Sequence, residues 1–146
     1  MARIRMCILY DFSAAFNALV IGTGNRSELL IGYTTQYGDN ACAFEPIGHL
    51  YKTEVKHLAN LLNIDQKIIT KAPTADLWNG QTDEDEIGLS YQILDEILHL
   101  HCDKNMTEEE IIQQGYQKYD VQRVFDLHKR SEFKRKLPPI LDEVAY

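Results

Sequence analysis

The chain has 146 residues, of which 45% are hydrophobic and 25% are charged, a composition that fits one globular domain. Its 15 Lys+Arg against 22 Asp+Glu give a net charge of -7, which argues against a general nucleic-acid binder. No apolar run reaches the length of a membrane span and no signal-peptide pattern is found, so we expect a protein without a membrane partner.

The first segment combines a helical pattern with a short apolar run. Residues 3–17 are predicted to form an amphipathic helix, because apolar residues recur there at helical spacing. Residues 19–21 are predicted to form a short buried strand, and residues 22–25 the glycine-containing loop at its end. Ser27 is expected to cap a helix that runs to about Gly32.

The middle of the chain alternates loops and helices. A loop is predicted up to Leu50, with a turn at Gly38-Asp39-Asn40. Residues 51–62 are predicted to be helical because four apolar residues form one stripe: Val55, Leu58, Ala59 and Leu62. A short helix is expected at 65–71, and 72–88 is predicted to be a long exposed loop, since it contains Pro, Gly and a run of acids.

Three further helices are predicted in the last third of the chain. Ser90 is expected to begin the first of them. Thr107 and Glu110 form a capping box for the second. Asp120 is expected to cap the third, and Pro138-Pro139 opens the tail.

The strand count favours an incomplete sheet. A lone strand at 19–21 cannot pair its backbone groups, and a strand–loop–helix order implies a parallel sheet. The helix pattern also begins almost at Met1. We therefore predict an α/β fold in which residues 1–146 form a single partial domain, the C-terminal part of a parallel-sheet fold, mostly α-helical with one or two short strands.

Two features near the predicted strand have both a structural and a functional interpretation. The loop "GTGNRS" lacks the third glycine of a dinucleotide fingerprint, so phosphate binding and ordinary turn chemistry both remain open. Glu28 lies in the first turn of a helix, where the helix dipole favours an acid. It is either a cap-region acid or a magnesium ligand.

Lys52, Asp39 and His128 also allow two interpretations. Lys52 lies in the first turn of a helix, where a cation is disfavoured by about 0.3–1 kcal/mol unless an anion lies nearby. Either a surface lysine or a phosphate contact is therefore possible. Asp39 is a typical turn former, and His128 fits a boundary histidine better than a catalytic one.

The cysteines and histidines predict no further chemistry. Cys7, Cys42 and Cys102 are odd in number and lack C-x-x-C spacing, so neither a disulfide framework nor a zinc site is expected. Reduced thiols in the cytoplasm are the simplest interpretation. No convincing Cys–His pair and no nucleophile elbow are found in the sequence.

Taken together, the segments resemble the C-terminal half of the ammonia-dependent NAD⁺ synthetase family, over essentially the whole chain. The resemblance is carried by "ARIRM", "GTGNRSELLIGY", "YGDNACAFEPIGHLYKTEV", "KAPTADLW", "GQTDEDEIGLSY" and "FKRKLPP". It implies an adenine-nucleotide-binding α/β fold, usually as a homodimer. The family's pyrophosphate loop, Ser-Gly-Gly-x-Asp-Ser, does not occur in this sequence.

The resemblance implies an ATP-dependent amidation of deamido-NAD⁺ to NAD⁺, with free ammonia as the nitrogen donor and an NAD-adenylate as the intermediate. By position, Thr23, Lys52 and Thr74 match ATP contacts, and Glu28 matches a magnesium ligand. The implied co-substrate and metal are therefore ATP and Mg²⁺. A catalytically inactive nucleotide-binding or dimerisation fragment is the alternative.

The same resemblance implies contacts on the substrate side. Arg3 and Lys134 match deamido-NAD⁺ contacts, Asp39 matches a residue near the reacting centre, and 72–88 matches a mobile lid. The sequence departs from the family pattern at three positions on this side: Gln36, Ala43 and Phe133. Many members have Lys, Asp and His there, respectively.

Overall fold

The computed structural model describes residues 1–74 and 80–140. In chain order the α-helices are α1 (Ala2–Phe16), α2 (Arg26–Ile31), α3 (Lys52–Leu61), α4 (Gln66–Ile69), α5 (Asp83–Ile87), α6 (Tyr91–Leu98), α7 (Glu108–Gln113) and α8 (Lys118–Arg130). A π-helical segment, His99–Asp103, continues α6, and a 3₁₀ turn, Glu132–Arg135, follows α8. The prediction of a mostly helical chain is confirmed for these residues.

The hydrophobic core lies between α2, α6 and α8, with α3 and α7 packed on its sides. Its fully buried side chains come mainly from the apolar faces of α6, α7 and α8: Leu94, Ile97, Leu98, Ile111, Val121 and Val124. The spacing of Leu94, Ile97 and Leu98 places these side chains on one face of α6. The core therefore holds the beginnings of α2 and α3 against α6.

Helix α1 forms as predicted, but its apolar face is not buried. The helix ends at Phe16, and Asn17 follows in the left-handed conformation with φ 50°. Of its residues none is buried, and Phe12 and Phe16 stack on each other while 52% and 72% exposed. An apolar stripe this exposed is typical of a surface that contacts another chain or segment.

The predicted buried strand at 19–21 is not found in the described part of the chain. Ile21 and Phe44 form an isolated parallel bridge, with Gly22 N–H donating to Phe44 O (2.9 Å) and Ala43 N–H to Val20 O (2.8 Å). Leu19 is 71% exposed. A strand needs a continuous ladder of pairing partners, and this bridge supplies a single residue pair.

Two predicted helix caps are wrong, and two are correct, one of which is Ser90, whose side chain accepts from Ile93 N–H at the start of α6. Asn25, rather than Ser27, caps α2 in a capping box with Glu28, and Ser27 is fully buried. Helix α8 begins two residues before Asp120, at Lys118, so Asp120 lies in its first turn. The capping box of Thr107 is confirmed at the start of α7.

The predicted exposed loop at 72–88 is also partly wrong. Residues Asp83–Ile87 form α5, which Thr82 caps by accepting a hydrogen bond from Asp85 N–H (3.2 Å). Ile87 is 2% exposed and Asp83 is 4% exposed. Residues 75–79 of the predicted lid lie outside the described residues.

Helix α3 agrees closely with its prediction, and α4 forms within the expected range. The predicted helix at 51–62 is observed as Lys52–Leu61, with Tyr51 as its N-cap. The predicted helix at 65–71 is shorter, Gln66–Ile69, and Asp65 caps it. No described helix has the length and apolar character needed to cross a membrane.

Candidate functional site

A cleft of about 930 Å³ runs between the glycine loop, the starts of α2 and α3, and the segment before α5. Six of the seven sequence-predicted site residues line it: Thr23, Glu28, Asp39, Lys52, Thr74 and Lys134. Arg3 does not line the cleft, whereas its neighbours Ala2 and Arg5 do. The fold therefore brings most of the predicted site together from distant parts of the sequence.

The centre of the cleft is an ion pair between two helix starts. Lys52 Nζ in the first turn of α3 donates to Glu28 Oε1 in the first turn of α2, at 2.9 Å. Their side chains are 21% and 15% exposed, so solvent screens the pair only in part. The other oxygen, Oε2, accepts from Asn25 N–H (3.2 Å), so Glu28 is both a cap and the partner of Lys52.

The side chain of Tyr91 forms a wall beside this pair. Lys52 Nζ lies 5.1 Å from the centre of the Tyr91 ring, within the range of a cation–π contact. Burial raises the pKa of the Tyr91 hydroxyl, and the negative charges of Glu28 and Asp83 raise it further. The Tyr91 hydroxyl therefore stays neutral, and the ring face contacts the Lys52 ammonium without adding a second negative charge beside Glu28.

A buried network beneath the ion pair fixes the starts of both helices. Ser27 Oγ donates to Asp95 Oδ1 (2.5 Å) and accepts from Lys52 N–H (2.9 Å). Asp95 Oδ2 accepts from Thr53 N–H (2.8 Å). Ser27 is fully buried and Asp95 is 5% exposed. Through these contacts α6 anchors the helix turn that carries Lys52.

Sequence reasoning missed Asp95, although a signal for it was present. Asp95 follows Leu94 within the apolar stripe of α6, where a carboxylate is not expected. Burial raises its pKa, while the hydrogen bonds from Ser27 and Thr53 lower it. A charged residue at a core position of a helix indicates a buried hydrogen-bond partner.

Asp83 in α5 is a second functional candidate that the sequence did not reveal. Its Oδ2 accepts from the Tyr91 hydroxyl (3.2 Å), whereas Oδ1 is buried and has no hydrogen-bond partner among the described residues. Burial raises the pKa of Asp83, and the nearby charge of Lys52 partly offsets this. The pattern Thr-x-x-Asp at 82–85 could have predicted the helix that buries it.

The glycine loop packs against Glu45. A Cβ atom at Gly22 would lie 2.5 Å from Cys42 Sγ and 2.6 Å from Glu45 Cγ, and one at Gly24 would lie 2.9 Å from Glu45 Oε1. Burial raises the pKa of Glu45, and the charges of Glu28 and Asp39 add to this. The close approach of the Glu45 side chain therefore accounts for glycine at positions 22 and 24 at least as directly as phosphate binding does.

Three predicted residues lie at the edge of the cleft. Asp39 is exposed, and its Oδ1 accepts from Thr35 N–H (2.8 Å), which is the contact of a turn former. Thr23 is exposed in the glycine loop, and Thr74 is half-buried. These positions leave Asp39 and Thr23 accessible to a ligand in the cleft.

Lys134 and Arg3 are held by backbone carbonyls. Lys134 Nζ donates to Gly32 O (2.7 Å) and Thr34 O (2.6 Å), so it binds the end of α2. Arg3 Nε donates to Gln36 O (3.1 Å). The Lys134 ammonium lies at the cleft with no carboxylate partner among the described residues.

The acids of the cleft fit a hard divalent cation. Magnesium prefers carboxylate oxygens and retains several waters. Asp83 Oδ1 is a buried carboxylate oxygen without a hydrogen-bond partner in the described part of the chain, and the Glu28 carboxylate has lone pairs beyond those that Lys52 and Asn25 occupy. Glu28 lies close enough for its charge to raise the pKa of Asp83.

A family model described as NAD synthase matches residues 1–138, so the chain belongs to the NAD synthase family. An NH(3)-dependent NAD(+) synthetase from Wolinella succinogenes is 51% identical over 139 residues, which are 95% of this chain and 54% of that protein. The same enzyme from Methanocaldococcus jannaschii is 51% identical over 94% of this chain and 53% of its own length. The chain thus spans about half the length of these relatives.

Two solved structures resemble this chain over nearly its full length. The NMN synthetase of Francisella tularensis superimposes with a TM-score of 0.81 at 38% identity, covering 97% of this chain and 54% of that one. The NH3-dependent NAD synthetase of Campylobacter jejuni gives a TM-score of 0.75 at 40% identity, covering 97% and 52%. The helical arrangement is therefore that of NAD synthetase family members.

Proposed function

We propose that this chain supplies the ATP and magnesium side of a site that amidates deamido-NAD⁺ to NAD⁺ with ammonia. The observation that carries the proposal is the Lys52–Glu28 pair, 2.9 Å apart in a cleft of about 930 Å³ in a member of the NAD synthase family. In this proposal residues 1–146 are one part of a single catalytic domain. The remaining part supplies the pyrophosphate loop, whose motif this sequence lacks.

The proposed chemistry has two steps. The nicotinate carboxylate attacks the α-phosphorus of ATP and pyrophosphate leaves, which gives a mixed anhydride with AMP. Ammonia then attacks the carbonyl carbon, AMP leaves, and the nitrogen loses a proton to give the amide. Activation is needed because a carboxylate has no good leaving group, and both steps concentrate negative charge on phosphate oxygens.

Each cleft residue has a proposed role that follows from its charge and position. The Lys52 ammonium stabilises charge on the phosphates, which requires it to exchange part of its contact with Glu28. Thr23 and Thr74 are proposed to contact ATP, and Lys134 the deamido-NAD⁺ phosphates. Asp39, exposed at the edge, is proposed to assist ammonia.

For Arg3 the proposed substrate contact has weaker support than for the others, because its side chain is held by Gln36 O outside the cleft. Arg5 lines the cleft and is the better-placed guanidinium in this structure. We therefore propose two candidates for the arginine that contacts bound deamido-NAD⁺, Arg3 and Arg5. Separate alanine variants of the two arginines distinguish them by the KM for deamido-NAD⁺.

Glu28, with Asp83 as its neighbour, is proposed to hold Mg²⁺. When bound, the ion would neutralise phosphate charge and polarise the oxygens of ATP. Asp83 Oδ1, which is buried and has no hydrogen-bond partner within residues 1–74 and 80–140, supports a cation at this point. The residues of this chain would position the ion, and Lys52 would remain the cation supplied by the protein itself.

We also propose that the protein acts as a homodimer in the cytoplasm. The exposed apolar face of α1 supports an interface, since Ile8 and Phe12 are each 52% exposed and lie one turn apart. The cysteines are all free thiols, as expected in a reducing compartment. Sedimentation of the chain and of an Ile8→Ser/Phe12→Ser variant tests the interface, and equal masses for the two would overturn it.

Complementation tests the proposed reaction. The chain is mixed with a separately expressed segment that covers the rest of the Wolinella succinogenes relative, together with ATP, Mg²⁺, deamido-NAD⁺ and ammonium. We expect NAD⁺ only when both parts are present, and a decrease of about 10²-fold or more for Lys52→Ala. Turnover by the chain alone, or an unchanged rate in the variant, would contradict the proposal.

The same complementation experiment also tests two alternative functions. An inactive nucleotide-binding or dimerisation fragment would bind ATP but never form NAD⁺, even when complemented. A different substrate is supported by the TM-score of 0.81 with the Francisella tularensis NMN synthetase. Preferential amidation of nicotinate mononucleotide over deamido-NAD⁺ would favour that activity.

A further inference from the structure

The structure brings together three side chains that the sequence did not link. One ligand atom from each of His101, Cys102 and His128 lies within 4.8 Å of the others. His101 and Cys102 belong to the π-helical segment that follows α6, and His128 belongs to the last turn of α8. The sequence indicated no convincing Cys–His site: His101 and Cys102 are adjacent, but the third member, His128, comes from a different helix. None of the three lines the cleft of about 930 Å³.

We propose that His101, Cys102 and His128 form a binding site for a divalent transition metal of the zinc type. Two imidazole nitrogens and one thiolate are the ligand set that Zn²⁺ and Co²⁺ prefer, whereas Mg²⁺ and Ca²⁺ require oxygen ligands. The site is therefore distinct in both chemistry and place from the carboxylate-lined cleft. Water would fill the fourth position.

Backbone carbonyls orient both imidazoles as in a metal site. His101 Nδ1 lies 3.3 Å from Met106 O, and His128 Nδ1 lies 3.1 Å from Leu30 O. A carbonyl oxygen only accepts, so each Nδ1 carries its hydrogen and each Nε2 keeps a free lone pair. Histidines that bind metals commonly donate their second nitrogen to such a carbonyl.

Neighbouring rings restrict the rotation of His101. Its ring centre lies 4.0 Å from that of Phe125 and 5.3 Å from that of His128, to which it is perpendicular. Phe125 and His128 both belong to α8. A metal ion would therefore connect the π-helical segment to α8 across side chains that already touch.

The geometry and the local charge set two requirements. Bonds of about 2.0–2.3 Å to a tetrahedral ion put its ligands roughly 3.3–3.8 Å apart, so the ligand atoms, which lie at most 4.8 Å from one another, must approach by no more than about 1.5 Å. Arg135 donates to His128 O (2.6 Å), so a cation here needs the compensating charge of the Cys102 thiolate. Both requirements favour an ion that bonds strongly to sulfur over a hard cation.

Cobalt titration of the complete chain, after removal of metals with a chelator, tests the site. We expect one equivalent of Co²⁺ to give a thiolate-to-cobalt charge-transfer band and the visible bands of tetrahedral cobalt, and Zn²⁺ to displace it. Cys102→Ser should abolish the charge-transfer band, and His128→Gln should weaken binding at least about tenfold. Circular dichroism of the metal-free variants is the check that each is folded.

Matched variants locate the binding. Cys42→Ser and His49→Gln change a cysteine and a histidine outside the cluster, and they should leave the spectrum unchanged. If Cys102→Ser does not fold, His101→Gln takes its place, with the tetrahedral bands expected to be lost. Absence of the charge-transfer band in the original chain, or its survival in Cys102→Ser, would overturn the proposal.

Discussion

Lys52 Nζ lies 2.9 Å from Glu28 Oε1, and this contact joins the first turns of α3 and α2. The position of a lysine at a helix start is unfavourable by itself, and the carboxylate opposite explains how the structure accommodates it. Both side chains are partly shielded from solvent, so water screens the Lys52 ammonium and the Glu28 carboxylate only in part, and each can interact with a ligand in the cleft at short range.

The first prediction concerns the buried network beneath this pair. Asp95→Asn replaces one acceptor oxygen by an amide group, which cannot accept from both Ser27 Oγ and Thr53 N–H. We expect a loss of about 1–3 kcal/mol in the free energy of unfolding, measured with urea. Asp126→Asn, an exposed change on α8, is the control. Equal stabilities for the two variants would show that the network does not hold the helix starts.

The second prediction is a pH dependence caused by Asp83. Burial raises the pKa of this carboxyl in the folded state above its ordinary value of 3.8. The folded state then binds more protons than the unfolded state, so the contribution of Asp83 to stability falls as pH rises from about 4 through the folded pKa. Asp83→Asn removes this contribution.

Urea unfolding at a series of pH values measures that effect. The stability of Asp83→Asn relative to the original chain should increase as pH rises across this interval and then become constant. Asn can still accept from the Tyr91 hydroxyl, so the change isolates the charge. A stability difference that is the same at every pH would contradict the assigned cause.

The third prediction separates the two glycines of the loop. A Cβ atom at Gly22 meets Cys42 Sγ and Glu45 Cγ at 2.5 and 2.6 Å, whereas at Gly24 it meets only the flexible end of Glu45. We expect Gly22→Ala to cost about 1–3 kcal/mol through overpacking, and Gly24→Ala to cost clearly less. Thermal and urea unfolding of the two variants check the order.

A background that lacks both neighbours provides the control. In a Cys42→Ala/Glu45→Ala chain the cost of Gly22→Ala should largely disappear, with a coupling of about 0.5–3 kcal/mol. An unchanged cost would contradict overpacking against Cys42 and Glu45 as its cause.

Local signals predicted much of the fold. The apolar stripe of α3 and the capping box at Thr107 depend on residues within two turns, and both elements were found where expected. The strand at 19–21 depends on partners elsewhere, and only the bridge from Ile21 to Phe44 was found in the described residues. The pattern of apolar residues in a segment indicates that it can form a strand, but it does not show which other segment pairs with it.

The site was predicted to a similar extent. Resemblance to a family identified six of the cleft-lining residues, including Glu28 and Lys52. Asp83 and Asp95 were missed because their importance comes from burial by other helices. The signals that the sequence did contain, an aspartate inside the apolar stripe of α6 and the pattern Thr-x-x-Asp at 82–85, do not name the partners that bury them. Arg3 was expected at the cleft, but the direction of its side chain depends on the fold around Gln36.

Calorimetric titration of ATP into the chain, with and without Mg²⁺, tests most directly whether this cleft is an ATP and magnesium site. Saturable, magnesium-dependent binding is expected, and Lys52→Ala should weaken it by at least about tenfold, or 1.4 kcal/mol. Lys129→Ala, which removes an exposed lysine of α8, should bind ATP as the original chain does. Binding that is absent, or equal in the Lys52 and Lys129 variants, would contradict the assignment of this site.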